Sequence, residues 1–297
     1  VKRSLKIAVG IATSGRPAIL RETLRELSRQ SRLPDCVFVC PADRTDYDAA
    51  EAVSLPFPVF VAKGPRGLCH QRNAIIDLAH AFDVLVFFDD DFLAFPSYLA
   101  ELEQCFTAQP EIVAATGHII ADGASGPGLN VAAGLGALAS FDDATIERPV
   151  TDTYTAYGCN MAVRLAPVYE NGLRFDEALP LYAWLEDVDL CRQLKPYGRI
   201  VKNARMVGVH LGHKGGRTSG VRYGYSQIAN PLYLWRKGTF RFNLALDHMA
   251  RNFLANSGKM LRPEPWVDRR GRAYGNALAL LDLVRGRLHP TRILDLD

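Results

Sequence analysis

The 297-residue chain lacks most of the features that would assign its class at a glance. No apolar stretch approaches the roughly 20 residues that cross a bilayer. The basic start, Val1-Lys2-Arg3-Ser4-Leu5-Lys6, is followed by an apolar run from Ile7 to Ala12 that is too short for a secretion signal and breaks at Thr13-Ser14-Gly15. A soluble protein is expected, or one attached to a membrane surface without crossing it. The six cysteines (Cys36, Cys40, Cys69, Cys105, Cys159 and Cys191) contain no Cys-x-x-Cys pair, and several sit in apolar runs. That argues against a disulfide framework and predicts reduced, buried thiols in a cytosolic protein. The net charge of +3 is too small to imply a nucleic-acid partner. No Gly-x-Gly-x-x-Gly follows the first apolar run and no Walker A sequence occurs, which counts against a nicotinamide enzyme and a P-loop nucleotidase. Internal repeats and low-complexity segments are also missing.

What remains is an ordinary globular composition, 48% hydrophobic and 23% charged, enough for a sizeable core. The first half alternates β-rich runs with amphipathic stretches. Leu5–Ala12, Cys36–Cys40, Val59–Ala62 and Val84–Phe88 read as strands. Helices are expected after Pro17, with Ile19, Leu20, Leu24 and Leu27 at helical spacing, and over Gly67–His80. Val84–Phe88 is wholly apolar, as a central strand covered on both faces would be. This alternation predicts an α/β fold with a mostly parallel sheet. Further on, Tyr98–Phe106 reads as helix, Ile112–His118 and Gly158–Val163 as strands, and the glycine-rich Asp122–Gly136 as a loop. A helix should start at Glu186 and run to Leu194. From about Asn230 the chain is helical in character, interrupted at Pro263 and Pro265.

The residues with chemical potential gather at strand ends. Asp89-Asp90-Asp91 closes the central strand, where open parallel sheets bind ligands. Carboxylates so close repel one another unless a cation joins them, and their hard oxygens suit Mn2+ or Mg2+ shared with phosphates. Glu186-Asp187 sits at a helix start, where a carboxylate can act as general base on a hydroxyl, although acidic residues also favour that position through the helix dipole. Trp184 and Tyr182 beside it offer apolar faces for a sugar ring. In His210-Leu211-Gly212-His213-Lys214-Gly215-Gly216-Arg217, either histidine can complete a metal shell, and Lys214 and Arg217 suit a loop closing on a diphosphate. Thr13, Arg16, Asp43 and Arg72 each follow a strand's carboxyl end, in position to hold a base and ribose.

In this order the segments resemble the family 2 glycosyltransferases. Thr13-Ser14-Gly15-Arg16-Pro17 looks like the opening nucleotide loop, and Gly67-Leu68-Cys69-His70-Gln71-Arg72-Asn73-Ala74 like the Gly-x-x-x-Ala-Arg-Asn segment, with Gln71 in place of the usual Ala. Phe88-Asp89-Asp90-Asp91 looks like the DxD metal motif, Gly158-Cys159-Asn160-Met161-Ala162 like the strand before the acceptor site, and Glu186-Asp187-Val188-Asp189-Leu190 like the catalytic segment. The likeness covers roughly residues 5 to 217 and implies a GT-A fold (1–118 the nucleotide half, 119–225 the acceptor half) with a helical C-terminal extension, 226–297. It implies that Asp89 and Asp90 contact the nucleotide sugar, that Asp91 and His213 bind Mn2+ or Mg2+ with His210 the competing ligand, and that Asp187 is the base, backed by Glu186. Thr13, Arg16, Asp43, Arg72, Lys214 and Arg217 would hold the donor, and Trp184 and Asn160 would meet the acceptor.

The implied reaction is inverting transfer from a nucleoside-diphosphate sugar, most commonly a UDP-sugar, to a hydroxyl of a saccharide or lipid-linked saccharide in bacterial polysaccharide synthesis. The expected location is cytoplasmic, with possible peripheral contact at the inner face of the plasma membrane. Competing readings are a sugar-phosphate nucleotidyltransferase, which needs a more glycine-rich and basic first loop, and a non-catalytic carbohydrate-binding module, which leaves the triple aspartate unexplained. The arginines Arg269, Arg270, Arg272, Arg285 and Arg287 around Leu278–Val284 suggest a tail that docks on a membrane or packs on the domain.

Overall fold

A computed structural model describes residues 4–48, 54–142, 150–215 and 218–296. The expected strands and helices of the first half are present: β1 (Ile7–Thr13), α1 (Pro17–Leu27), β2 (Cys36–Pro41), β3 (Val59–Val61), α2 (Leu68–Leu78) and β4 (Val84–Asp89). They are followed by β5 (Phe92–Ala94), α3 (Tyr98–Ala108), β6 (Ile112–Asp122), α4 (Val131–Ala139), β7 (Val150–Asp152), β8 (Asn160–Arg164), α5 (Leu165–Glu170), α6 (Glu186–Leu194) and β9 (Arg199–His210). Three long helices follow: α7 (Gly220–Lys237), α8 (Phe242–Lys259) and α9 (Arg269–Val284).

All nine strands join one sheet in the order β3-β2-β1-β4-β8-β6-β9-β5, with β7 also paired to β9. β3, β2, β1 and β4 are mutually parallel. β8 runs antiparallel to both β4 and β6, so β6 and its parallel neighbour β9 point the same way as β4. The carboxyl ends of β1, β2, β4, β6 and β9 therefore collect along one edge. β4 is buried along both faces up to Phe88, between the two largest apolar clusters. This is the GT-A type of α/β architecture with a helical C-terminal part.

Two segments differ from the sequence-based expectation. Part of the expected loop at Asp122–Gly136 folds as α4. Its body is rich in alanine and leucine, and Asn130 caps it by accepting a hydrogen bond from the Ala133 N–H at 2.8 Å. The apolar side of α4 packs near Leu93, Val207 and Val209. The long strand β9 is interrupted in sequence by Lys202, Asn203 and Arg205, which hide its alternation. Pairing with β5, β6 and β7 imposes the strand. All six cysteines are unbridged and buried. Among the described residues, no helix is long and apolar enough to cross a membrane.

α7 begins at Gly220, capped by Ser219, and continues through residues 225 and 226, where the family likeness placed the start of the extension. It packs closely on α9. A Cβ on Gly275 would lie 2.1 Å from the Val221 carbonyl oxygen, and one on Gly224 would lie 2.2 Å from that of Arg272. Beside this crossing, Asn276 donates to the Gly224 carbonyl at 2.6 Å, Asn256 of α8 donates to Gln227 and Asn276, and the Tyr225 hydroxyl donates to Asp282. Buried amides that satisfy one another fix the helix register, because any slip strands several of them at once. Gly275→Val should therefore destabilise the protein by about 1–3 kcal/mol or more, the usual range for overpacking. Urea denaturation checks this, and an unchanged midpoint would contradict the close crossing.

Candidate active site

β4 ends at Asp89 and β5 starts at Phe92, so the three aspartates form the turn between them. Asp90 points inward and is fully buried. It accepts a hydrogen bond from Thr13 Oγ1 at 2.7 Å and pairs with Arg16 Nη2 at 2.9 Å, while its carbonyl accepts from Thr23 Oγ1. Burial pushes its carboxyl above the usual range, and Arg16 opposes that push. Asp90 and Thr13 thus join β1 to β4 beneath the site, a correction to their expected contact with the nucleotide sugar.

Asp91 accepts from the His213 backbone N–H through Oδ2 at 2.7 Å, with Arg16 Nη1 at 3.3 Å. Its other oxygen, Oδ1, is buried without a hydrogen-bond partner, 3.4 Å from His210 Nε2. Asp89 Oδ2 lies 3.8 Å from the same nitrogen. One ligand atom from each of Asp89, Asp91 and His210 falls within a 4.8 Å group. Two carboxylates and an imidazole form a donor set that Mn2+ or Mg2+ accepts, and the orphaned Asp91 Oδ1 is the kind of buried atom that a cation satisfies.

Behind the ring stands Asp122, at the end of β6 and directly opposite His210 in the β6–β9 register, with Oδ1 2.9 Å from His210 Nδ1. A carboxylate in this position fixes the tautomer and orientation of a ligating imidazole. Burial resists protonation of His210, but the hydrogen bond to Asp122 and the nearby carboxylates of Asp91 and Asp89 raise its pKa to about 10. The sequence-based choice of His213 is corrected by this geometry. His213 supplies its backbone N–H to Asp91, and its ring Nδ1 accepts from the Gly215 N–H at 3.1 Å. Asp122 itself was missed; its signal would have been recognition of β9, which pairs the two residues.

The second group centres on Arg72. This buried guanidinium donates to Glu186 Oε1 at 2.8 Å, Asp89 Oδ1 at 3.1 Å and the Gly158 carbonyl at 2.7 Å. It also lies over the rings of Phe87 and Phe175. Arg72, expected to hold the nucleotide, lines the chamber and ties the carboxylates of the two halves together. Asp187 accepts from the Gly158 N–H at 2.8 Å and from its neighbour Val188 N–H at 2.7 Å. Burial and the adjacent Asp187 charge lift Glu186 to about 8 against the pull of Arg72, and burial raises Asp187. Gly158 is required here, since a Cβ would stand 2.9 Å from Glu186 Oε1 and 3.3 Å from Asp187 Oδ2.

The approach to α6 is strained. Leu181, Ala183 and Leu185 all have positive φ, at 58°, 53° and 75°. Each costs about 1–3 kcal/mol in a residue with a Cβ, and such strain clusters at functional sites. The Leu68 N–H, donating to the Leu181 carbonyl at 2.8 Å, helps hold the segment.

Asp89, His210, Glu186, Asp187 and Trp184 border one chamber of about 540 Å3. Its far wall comes from the C-terminal helices: Tyr223 of α7, His248 and Asn252 of α8, and Arg272 of α9. Trp184 packs edge-on against Tyr223 and tilts toward His248. Asn160 is not in this chamber. It is fully buried in β8, where Thr116 Oγ1 donates to its side-chain oxygen and the Tyr98 hydroxyl to its carbonyl, a correction to its expected acceptor role.

Asp43 is exposed past the end of β2, next to the buried Asp46, which accepts from the Gly15 and Asp43 N–H groups and so holds the first loop. Gln71, the departure from the expected alanine, donates to the carbonyls of Thr13 and Cys40 and ties the ends of β1 and β2. Lys214 Nζ donates to the carbonyls of Gly123 and Ala124. Arg217 lies outside the described residues.

Residues 5–205 match the glycosyltransferase-like family 2. The chain belongs to this family. No curated protein sequence matches it. Among solved structures, this family 2 chain is similar to S. aureus TarS, at 15% identity and a TM-score of 0.55 over 95% of this chain and 53% of that one. It is also similar to TarS 1–349 in complex with UDP-GlcNAc, at 15% identity and a TM-score of 0.58 over 97% and 83% of the two chains. The mannosyltransferase PcManGT from Pyrobaculum calidifontis, in complex with GDP-Man and Mn2+, matches at 15% identity and 0.56 over 99% and 86%. The chain spans about half the length of TarS. At these identities the likeness is one of fold.

Mn2+ with UDP should raise the unfolding midpoint by mass action. Asp91→Ala or His210→Ala should abolish the rise and His213→Ala should retain it, because only the His213 backbone contacts the group. The reverse pattern for the two histidines would overturn the assignment.

Proposed function

We propose that this protein is an inverting, metal-dependent glycosyltransferase that moves a sugar from a nucleoside-diphosphate sugar to a hydroxyl of a saccharide or lipid-linked saccharide. The observation that carries this reading is the single chamber with Asp89 and His210 on one side and Asp187, Glu186 and Trp184 on another. A cation group beside a general-base candidate is what direct displacement at an anomeric carbon requires. Family membership supports the reading, as do the similar folds solved with UDP-GlcNAc and with GDP-Man and Mn2+.

Asp187 receives the proton of the attacking hydroxyl. Burial raises its pKa, which makes its carboxylate a better acceptor, and the Gly158 N–H keeps it oriented. Glu186 stays on Arg72 and positions that guanidinium against Asp89. Mn2+ or Mg2+ held by Asp89, Asp91 and His210 would supply positive charge to the departing diphosphate. Arg16 and Asp43, beyond the ends of β1 and β2, border the donor side in this reading, and Lys214 lies toward the diphosphate.

The acceptor lies on Trp184. Residues 1–118 form the donor half, 119–225 the acceptor half, and the extension over 226–297 closes the acceptor side through His248, Asn252 and Arg272. A UDP-sugar is the preferred donor, a polysaccharide intermediate the acceptor, and the cytoplasmic face of the plasma membrane the place of work.

Asp187→Asn should lower transfer by about 10²–10⁴-fold. The Mn2+-dependent stabilisation by UDP should be unchanged, and the wild-type product should have an inverted anomeric centre by proton NMR. A retained configuration, or full activity of the variant, would exclude this mechanism.

A further inference from the structure

α8 has two unlike faces. Ala245 and Asn256 are buried, and His248 and Asn252 reach the chamber. Elsewhere on α8, Phe242, Leu246, Phe253 and Leu254 are exposed, Leu254 at 68%, and Leu261, just beyond the helix end, is exposed at 81%. Trp235, at the end of α7 and also exposed, packs on Phe242 with ring centroids 5.0 Å apart. Contiguous apolar surface of this kind marks an interaction site.

Charge identifies the partner. Residues 226–297 hold twelve Lys and Arg against six Asp and Glu, whereas residues 1–225 hold twenty-three against twenty-six. The positive excess therefore lies in the C-terminal part, with Arg236, Arg241 and Arg262 exposed near the stripe and Arg251 exposed and paired with Asp247. Two copies meeting through this stripe would press two basic surfaces together, whereas an anionic lipid surface complements both the charge and the apolar residues.

On the arginine-rich tail suggested by the sequence, Tyr274, Leu281 and Val284 are also exposed. α9 packs Gly275, Asn276 and Ala279 inward, and Arg269 and Arg272 border the chamber.

We propose that the outer face of α8, with Trp235, docks on an anionic phospholipid surface and sets the chamber behind α8 close to the headgroups. The docking rests on the stripe and the charge alone; its use in presenting a lipid-linked acceptor rests on the transferase reading above.

The test is co-sedimentation of the full chain at low salt with vesicles of phosphatidylglycerol and phosphatidylcholine, compared with phosphatidylcholine alone. Anionic vesicles should bind at least tenfold more protein. The double variant Leu254→Glu/Leu261→Glu should lose that binding while keeping its unfolding midpoint and its Mn2+-dependent stabilisation by UDP, since both positions are solvent-exposed. Failure of the wild type to bind anionic vesicles, or undiminished binding by the variant, overturns the proposal. So does a wild-type dimer in light scattering that the variant converts to monomer, because the stripe would then join two copies. Loss of stabilisation by UDP in otherwise membrane-binding wild-type protein would count against the transferase reading and leave the docking intact.

Discussion

The site depends on one buried cation. Arg72 is almost wholly buried at the chamber wall and meets two carboxylates, a carbonyl and two aromatic faces. Its partners come from distant parts of the chain: Asp89 from the end of β4, Glu186 from the start of α6, and Gly158 from the turn before β8. Removing one partner of such a buried pair typically costs about 3–5 kcal/mol, because the other charge is left uncompensated. Arg72 therefore ties Asp89 of the cation group to Glu186, the neighbour of Asp187. The strained Leu181–Leu185 segment is held by the Leu68 N–H of α2 and by the Glu186 N–H of α6, which donates to the Ala183 carbonyl at 3.0 Å.

Strand direction explains why the groups meet at all. β1, β2, β4, β6 and β9 deliver Thr13, Pro41, Asp89, Asp122 and His210 to the same edge of the sheet. The reversed strand β8 begins at that edge, which brings Gly158 beside Asp187. The carboxyl ends of strands are the usual ligand position in such sheets. The C-terminal helices then roof one side of the chamber, held to one another by a glycine crossing and an amide network.

Much of this was legible in the sequence because it rests on local pattern. The apolar run before Asp89, the acidic start of α6 and the helical stripe of α1 each carry their own signal. The errors concern buried polar residues whose partners lie far away in the chain. Thr13 stands at a strand end where a ligand contact is reasonable, but its hydroxyl is taken by Asp90, and Arg72, on α2 at the chamber wall, also holds Asp89 and Glu186. Asn160 faces the sheet interior for the same reason. His210 and His213 are indistinguishable by spacing. Only the pairing of β6 with β9 separates them, and β9 is hidden by its charged residues.

The central claim is that the carboxyl ends of β4 and β9 form a cation site facing Asp187. Anomalous diffraction at the manganese edge, from crystals of the full chain grown with Mn2+ and UDP, tests it most directly. The account predicts a single strong peak within bonding distance of Asp91 Oδ1 and His210 Nε2, on the chamber side of Asp89. A peak on the His213 ring, or no ordered manganese while UDP is bound, would contradict it.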